Sequence, residues 1–436
     1  MAVPKMTLFT DISRLHSFNG FVKLDGVRPA EARDEVVEKA AILVAHEKTG
    51  SRILWTGRQS QVQSKAFRQL LDRARPKRVS LKKAVVIPAF QECHTHLLYA
   101  GDRREEFERR NRGETYLQIA EAGGGIRSTI RATKQAKAPE LMRGLISRLL
   151  EFAVQGVTTV EIKTGYAATI EDELAHLKLL VKLRAAAEKN KKLPRVIVTC
   201  LAAHAIPAGF TEESWLARVE AEIFPFLKKH RLRVDAFIEK SAYSIGRARL
   251  HFEKALALGL ELAIHADQLS RTGAAALGAE LGARSVDHVI ETADEDFLRL
   301  AQSKTVAVLL PAADLYTRLP YPRARKMIDA GVRVALATDH NQGSSPGLDL
   351  TLVGLLARTN MQMTLPEVLC AYTYNAARAM GLGEELGALT PGRRADFICL
   401  KPGTQLTDLF YEIGPRRSLA QVTSVWRDGI RMLPAK

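Results

Sequence analysis

A rhythm between Val85 and Asp339 limits most strongly what this chain can fold into. Eight short apolar runs recur there: VVIPAF, TTVEI, RVIVTCLAA, VDAFIE, LELAIHA, RSVDH, TVAVLL and RVALAT. Segments such as ELAHLKLLVKLRAAAEKN lie between them, with apolar residues at helical spacing. Strand–helix alternation on this scale builds a parallel sheet, because each parallel neighbour needs a crossover and a helix supplies it. Eight units predict an α/β fold of the (β/α)8 TIM-barrel type. A doubly wound open sheet shares the alternation and stands as the alternative.

The chain has 436 residues, more than the about 250 that a barrel needs. Ahead of the rhythm, FVKL, AAILVAH and RILWTG read as strands of a small sheet, interrupted by a basic helical stretch from about Gln61 to Arg75. Behind it, GALTPGRRADFICL and TSVWRDGIRML return to short strands and tight turns. The expected organisation is an accessory β-sheet domain built from both chain ends. Residues 1–84 and 385–436 would form it, and 85–384 would form the barrel. No internal repeat or low-complexity segment is evident.

Composition removes several functions. No apolar run reaches the roughly 20 residues of a membrane helix, so no membrane partner is expected. No apolar h-region follows basic residues at the N-terminus, so no secretory signal is expected. Cys93, Cys200, Cys370 and Cys399 form no CxxC pair, which argues against a disulfide framework or a thiolate zinc site and favours a reducing cytoplasm. The net charge is +16. A nucleic-acid binder would gather that charge in a stripe with aromatic stacking residues. The densest basic stretch, Lys65 to Lys83, contains one aromatic, Phe67. It reads as a solvated face, with no nucleic-acid partner, whose field favours a small anionic substrate. A homodimer is compatible with such a chain.

Barrel enzymes place their working residues at the C-terminal ends of the strands. The polar residues ending the runs here are His94 and His96, then Lys163, His204, Glu239, His265, His288 and Asp339, while the seventh run ends in Pro311. Five of the 11 histidines therefore fall where a barrel site would be. His94 and His96 form an HTH triplet, and residues i and i+2 of a strand face one side. With His265 and Asp339 they offer three imidazoles and one carboxylate, a set suited to a single catalytic divalent metal, Zn2+ or Fe2+. Hydrogen-bonded polar residues at a barrel mouth are the plainer alternative. Such a metal lowers the pKa of bound water from about 15.7 to about 7, for attack on an acyl or amidine carbon. His288 is expected to move a proton or stabilise an oxyanion; otherwise it is a satisfied core histidine. Asp339 is also placed to take the proton of the attacking water. Lys163 reads as a surface or salt-bridged lysine rather than a bridge between two metals. Gly123 to Gly125 lack phosphate-loop spacing and read as a flexible loop near the barrel mouth.

The segments QECHTHLLYAGDRREEFERR, YLQIAEAGGGIRSTIRAT, VEIKTGY, AAHAIP, IHADQL, SVDHV, PYPRARKMIDAGV, ALATDHNQGSSP and GALTPGRRADF resemble the amidohydrolase superfamily, and within it the imidazolonepropionase family. The likeness runs from about Val85 to Leu400. HxH and TD recur across the superfamily; AGGGI, R-x-x-E-F after HTH, and TD-x-N-x-G-S are the specific parts. The resemblance implies that His94, His96, His265 and Asp339 bind zinc or iron. It implies that Arg103, Tyr166, His204 and Gln268 contact imidazolone propionate, and that Asn341, Gly343 and Ser344 line the same pocket. The implied reaction is hydrolysis of the cyclic amide of 4-imidazolone-5-propanoate to N-formimino-L-glutamate in histidine degradation. The residue chemistry agrees: Arg103 offers a fork for a carboxylate, and Tyr166 can donate beside it. A rim salt bridge within EEFER is the alternative for Arg103, and a packed aromatic for Tyr166. Two departures stand out. Gln268 occupies a position where the family often has Glu, and an amide cannot be a general base, so that work falls to His288 or Asp339. His340 and Gln342 replace an apolar residue and a proline, which predicts altered loop stiffness or ring preference. Competing readings are a deaminase of another nitrogen heterocycle, which would release ammonia, and a nucleic-acid-binding protein on a vestigial barrel, which would need no metal.

Overall fold

The computed structural model describes residues 5–33, 35–47, 50–114, 118, 123–411 and 421–432. Of the expected YLQIAEAGGG segment, residues 116, 117 and 119–122 lie outside these, as do 1–4, 412–420 and 433–436 of the two terminal parts.

The N-terminal part forms β1 (Lys5–His16), β2 (Val36–Glu47), β3 (Gly50–Arg58) and β4 (Lys77–Pro88). The C-terminal part adds β13 (Phe397–Leu400), β14 (Val422–Arg427) and β15 (Ile430–Arg431). Together they make one seven-stranded sheet in the order β15-β14-β13-β4-β1-β2-β3. Both ends of the chain therefore share a sheet, as expected, but FVKL, expected as a strand, lies in a short helix, Asn19–Lys23, that ends at Leu24. Phe9 seals it with edge contacts to Phe397 and Trp426, centroids 5.2 and 5.0 Å apart. The basic stretch is a helix, Lys65–Ala74. It buries Leu71 beside Val62, and Phe67 packs edge-on against Trp55 at 4.8 Å. The aromatic within the basic run thus belongs to a small core.

The barrel strands are β5 (Phe90–Glu92), β6 (Val157–Lys163), β7 (Arg195–Ala203), β8 (Arg233–Ile238), β9 (Ala263–Ala266), β10 (Ser285–His288), β11 (Val306–Leu309) and β12 (Arg333–Leu336). Each pairs in parallel with the next. The ring closes between its ends through a Thr95–His340 bridge, with Asp339 N donating to His94 O at 3.1 Å and His96 N to His340 O at 2.9 Å. A closed parallel barrel, not an open sheet, is the result. Its strands are buried on both faces, which explains why they read as near-continuous apolar runs.

The first run, VVIPAF, divides between the two sheets. Val85 to Pro88 pair with β13, whereas Phe90 to Glu92 pair with β6. The chain crosses at Ala89, whose N–H donates to Asp396 O, while Phe90 N donates to Gly156 O, both at 3.1 Å. Pro88 has no N–H to keep the old ladder going. The strand carrying His94 and His96 is thus a direct continuation of the accessory sheet. All four cysteines are free and buried. No helix among the described residues is long and apolar enough to cross a membrane.

Candidate active site

His94 and His96 lie on the extension of β5, His265 on β9, His288 at the end of β10, and Asp339 three residues beyond β12. Four strand ends thereby meet in one place. One ring nitrogen from each of His94, His96 and His265 falls within 4.8 Å of the others. Asp339 Oδ1 is 3.4 Å from His94 Nε2 and 3.3 Å from His96 Nε2. All four residues are buried. His94 Nε2, His265 Nε2 and Asp339 Oδ1 make no hydrogen bond. Buried polar atoms are nearly always satisfied, so a convergent set like this fits a cation. Three imidazole nitrogens and a carboxylate oxygen are the donor set of an oxygen- and nitrogen-ligated divalent metal.

Further carboxylates sit behind the rings. Asp287 Oδ2 is 2.6 Å from His94 Nδ1, which leaves Nε2 for the cluster. Asp235 Oδ2 is 3.0 Å from His265 Nδ1, and Asp235 Oδ1 accepts the His265 backbone N–H at 3.1 Å. Electrostatics follows this placement. Burial and Lys163 pull the His94 pKa down, but Asp287 and Asp339 outweigh them and hold it at about 9. Burial lowers His96 to about 4, against the pull of Asp339. Burial likewise drives His204 and His288 well below the usual imidazole range. Asp339 is held well below the carboxylate range; burial opposes this, but the adjacent His94 and His96 rings prevail. Two neutral imidazoles, His204 and His288, therefore border the cluster.

The expected substrate residues surround it unevenly. His204 stacks on His96, centroids 5.4 Å apart, and Tyr166 lies 6.0 Å from His96 and 5.8 Å from His204. The His288 ring is 5.7 Å from His94 and 5.4 Å from His265, and its Nδ1 makes no hydrogen bond. Arg103 makes the salt bridge that was the alternative and also reaches the loop after β12. Its Nε donates to Glu106 Oε2 at 2.7 Å, and its guanidinium lies so close over Gly343 that a Cβ there would meet Nη1 at 2.0 Å. Asn341 is engaged in shaping the loop. Its Nδ2 donates to Asp339 O and to Ser344 Oγ, and its Oδ1 accepts from Gly343 N and Ser344 N, at 2.8–2.9 Å. Gln268 is half-buried on the loop leaving β9, and no contact ties it to the histidines. The departures at the last strand end also differ: His340 bonds Tyr99 Oη and Gly347 O, whereas the buried Gln342 amide has no partner.

Sequence reasoning missed several residues. Glu106 joins Arg103 to the glycine loop, its Oε1 accepting from Gly125 N and Ser128 Oγ at 3.0 Å. Arg110 Nη2 donates to Gly343 O at 3.2 Å. Lys163, expected as a surface or salt-bridged lysine, is the salt-bridged one: it is fully buried and ion-paired to Glu161, Asp235 and Asp287, carboxylates that the sequence reading did not single out. The signal for these carboxylates was present. VEIK, VDAF and SVDH place charges inside strands buried on both faces, where unpaired charges are almost never found.

Comparison with known proteins agrees with this architecture. The amidohydrolase family profile matches residues 85–431. An imidazolonepropionase of Bdellovibrio bacteriovorus is 42% identical over 93% of this chain and 93% of its own length. One from Rubrobacter xylanophilus is 39% identical over 88% and 91%, and one from Acinetobacter baumannii 37% identical over 83% and 87%. Among solved structures, an adenosine deaminase from Xanthomonas campestris with bound zinc superposes with a TM-score of 0.70 at 18% identity, over 100% of this chain and 94% of its own. The guanine deaminase of E. coli gives 0.64 at 15%, over 99% and 100%. At such identities the structures speak for the fold, while the curated relatives reach further, and the chain belongs to the amidohydrolase family, in its imidazolonepropionase branch.

Proposed function

We propose that this chain hydrolyses the cyclic amide of 4-imidazolone-5-propanoate to N-formimino-L-glutamate, with His94, His96, His265 and Asp339 holding one divalent ion, zinc or iron. The observation that carries the reading is the pairing of two features at one barrel mouth. A buried cluster of three imidazoles and one carboxylate lies beside a loop, 339–344, whose Gly343 packs against the guanidinium of Arg103. The named relatives extending over most of the chain support the substrate. A divalent ion so held would supply an acidified water and polarise the ring carbonyl.

The chain's own residues do the rest. Arg103, anchored through Nε, presents its two terminal nitrogens to the propionate carboxylate. Tyr166 keeps its hydroxyl proton, since burial and the charge of Asp339 push its pKa up, so it acts as a donor. Asp339, an ionised carboxylate, is the acceptor for the proton leaving the attacking water. His288 is neutral and faces the cluster, where it can receive a proton and return it to the departing ring nitrogen. His204 and Tyr166 wall the ring on the side of His96. Asn341 holds Gly343 and Ser344 in the bend that lets Arg103 approach, and Gln268 is a hydrogen-bonding partner rather than a base.

The test is purified protein assayed with 4-imidazolone-5-propanoate, with metal content measured on the same sample. Ring opening without ammonia, at about one metal per chain and abolished by chelation, is expected. Ammonia release from another heterocycle, with no turnover of the imidazolone, would replace this reading by the deaminase one.

A further inference from the structure

Beneath the histidine cluster, three buried carboxylates converge on one ammonium. Lys163 Nζ lies 3.0 Å from Glu161 Oε1, 2.8 Å from Asp235 Oδ2 and 3.3 Å from Asp287 Oδ2, and all four side chains are wholly inaccessible. Glu161 and Lys163 are i and i+2 on β6 and so share its inward face; Asp235 comes from β8 and Asp287 from β10. Glu161 in turn accepts the backbone N–H of Thr95, the residue between His94 and His96, through Oε2 at 3.4 Å. Asp287 and Asp235 are the same carboxylates that meet His94 Nδ1 and His265 Nδ1. One ammonium is therefore linked, through one intervening carboxylate in each case, to both histidines and to the HTH backbone.

We propose that Lys163, with Asp235 and Asp287, is the positioning relay of the metal centre: it fixes the His94 and His265 rings with their Nε2 atoms toward a single ion, and as a built-in cation it fills the place where these carboxylates would otherwise gather a second one. This rests on the reading that His94, His96, His265 and Asp339 hold a metal. The physical ground is charge balance. Two carboxylates buried side by side repel each other and, without a counter-charge between them, turn apart. That movement loosens the rings that they hold. A carboxylate on the far nitrogen of a ligand histidine sets its tautomer, orientation and basicity, and its loss typically lowers metal affinity 10–100-fold. The ammonium, bonded to both carboxylates, holds them in place from a position no solvent reaches.

The experiment measures Zn2+ affinity by competition with a chromophoric chelator, metal stoichiometry, and the visible spectrum of the Co2+-substituted protein. Wild type is compared with Lys163→Met, Asp287→Asn and Arg195→Gln. Arg195 belongs to another buried ion cluster, with Asp396 and Asp428, away from the histidines, and serves as the control. Lys163→Met and Asp287→Asn are expected to weaken Zn2+ binding about 10–100-fold and to change the Co2+ spectrum. Arg195→Gln is expected to lower stability with affinity and spectrum unchanged. Where Lys163→Met does not fold, Asp287→Asn decides, because it keeps the side-chain volume and leaves Lys163 paired with Glu161 and Asp235. A folded variant with wild-type affinity and spectrum overturns the proposal, as does an equal loss in Arg195→Gln. A wild-type protein that binds no Zn2+ overturns the metal reading and this proposal with it.

Discussion

Replacing Arg103 with Met should separate recognition of the substrate's arm from the chemistry at its ring. The side chain is only 16% accessible, so a charge pair made there is screened less than a surface pair. Its Nε is already committed to Glu106 at 2.7 Å, so the guanidinium plane is fixed before substrate arrives and little rotamer freedom is lost on binding. A charge-assisted hydrogen bond contributes about 1.5–3 kcal/mol. At about 1.36 kcal/mol per factor of ten, the loss in kcat/KM should be roughly 10- to 150-fold. The assay compares 4-imidazolone-5-propanoate with an imidazolone that lacks the carboxylate, and metal content is followed in parallel. Arg103→Met should penalise the first substrate by that factor, affect the second far less, and leave the metal bound. Gly343→Ala provides an independent perturbation of the same group. The new Cβ would lie 2.0 Å from Nη1 and 2.5 Å from Cζ, and the side chain can yield where a backbone could not. It should raise KM for the carboxylate substrate with little change in melting temperature. If both substrates lose equally in Arg103→Met, Arg103 is structural and the main residue argument for a carboxylate-bearing substrate is gone.

Three further outcomes are expected. His265→Ala should lose most of its bound metal while circular dichroism still reports a folded barrel; full occupancy in that variant would show that the ligand set is wrong. His288→Asn should retain metal but lose about 10²-fold or more in kcat. Asn is the chosen replacement because it tolerates the left-handed backbone found there; loss of metal would make His288 a ligand, and normal turnover would make it a core residue. Glu173 is buried, its carboxyl bonded by Thr164 Oγ1 and Cys200 Sγ, and burial raises its pKa from 4.5 to about 7. Its contribution to stability is therefore complete below pH about 4.5 and is lost as pH rises through about 7. At about 1.36 kcal/mol per unit, the loss is of order 3 kcal/mol. Glu173→Gln lacks that dependence, so on metal-free protein its stability relative to wild type should improve by about this amount between pH 4.5 and 7.5, whereas a flat difference would rule out the raised pKa.

The barrel was legible because its signal is a period. Strands buried on both faces must be apolar throughout, and their crossovers must be helical, so eight repeats of that pattern appear in any reading of the chain. The ends of VVIPAF, LELAIHA, RSVDH and RVALAT gave His94, His96, His265, His288 and Asp339 for the same reason: strand ends are countable. What a period does not show is the partner across the barrel. Nothing in the spacing of VEIK, VDAF and SVDH says that Lys163, Asp235 and Asp287 meet, since they lie on β6, β8 and β10 and meet only after closure. The division of VVIPAF was hidden as well, because an apolar run reads the same whether it pairs with β13 or with β6. Asn341, which the resemblance places in the pocket lining, also closes the loop through its amide, a role set by local turn geometry that no spacing shows.

The turns that leave the strands explain how neighbouring residues come to serve one site. Asp267, His288, Val289 and Asp339 all have positive φ, at 48, 74, 52 and 52°. An L-residue in that region costs roughly 1–2 kcal/mol, and Val289, branched at Cβ, fits it worst. The surroundings hold them there. Val289 N donates to Ala266 O at 3.0 Å, and Asp339 N to His94 O at 3.1 Å. Asp267 Oδ1 collects the N–H groups of Thr272 and Gly273, while Oδ2 takes the Thr292 hydroxyl. In a regular strand Asp287 and His288 would point to opposite faces. The left-handed bend at His288 changes this, so that Asp287 bonds His94 from behind while the His288 ring comes within 5.7 Å of the same imidazole. Glycine at position 288 would relieve the backbone and remove the imidazole that faces the cluster. Non-glycine residues with positive φ also occur at Phe18, Lys82 and Arg231; at the strand ends such turns bring the His288 and Asp339 side chains to the cluster, where strained backbone tends to be retained.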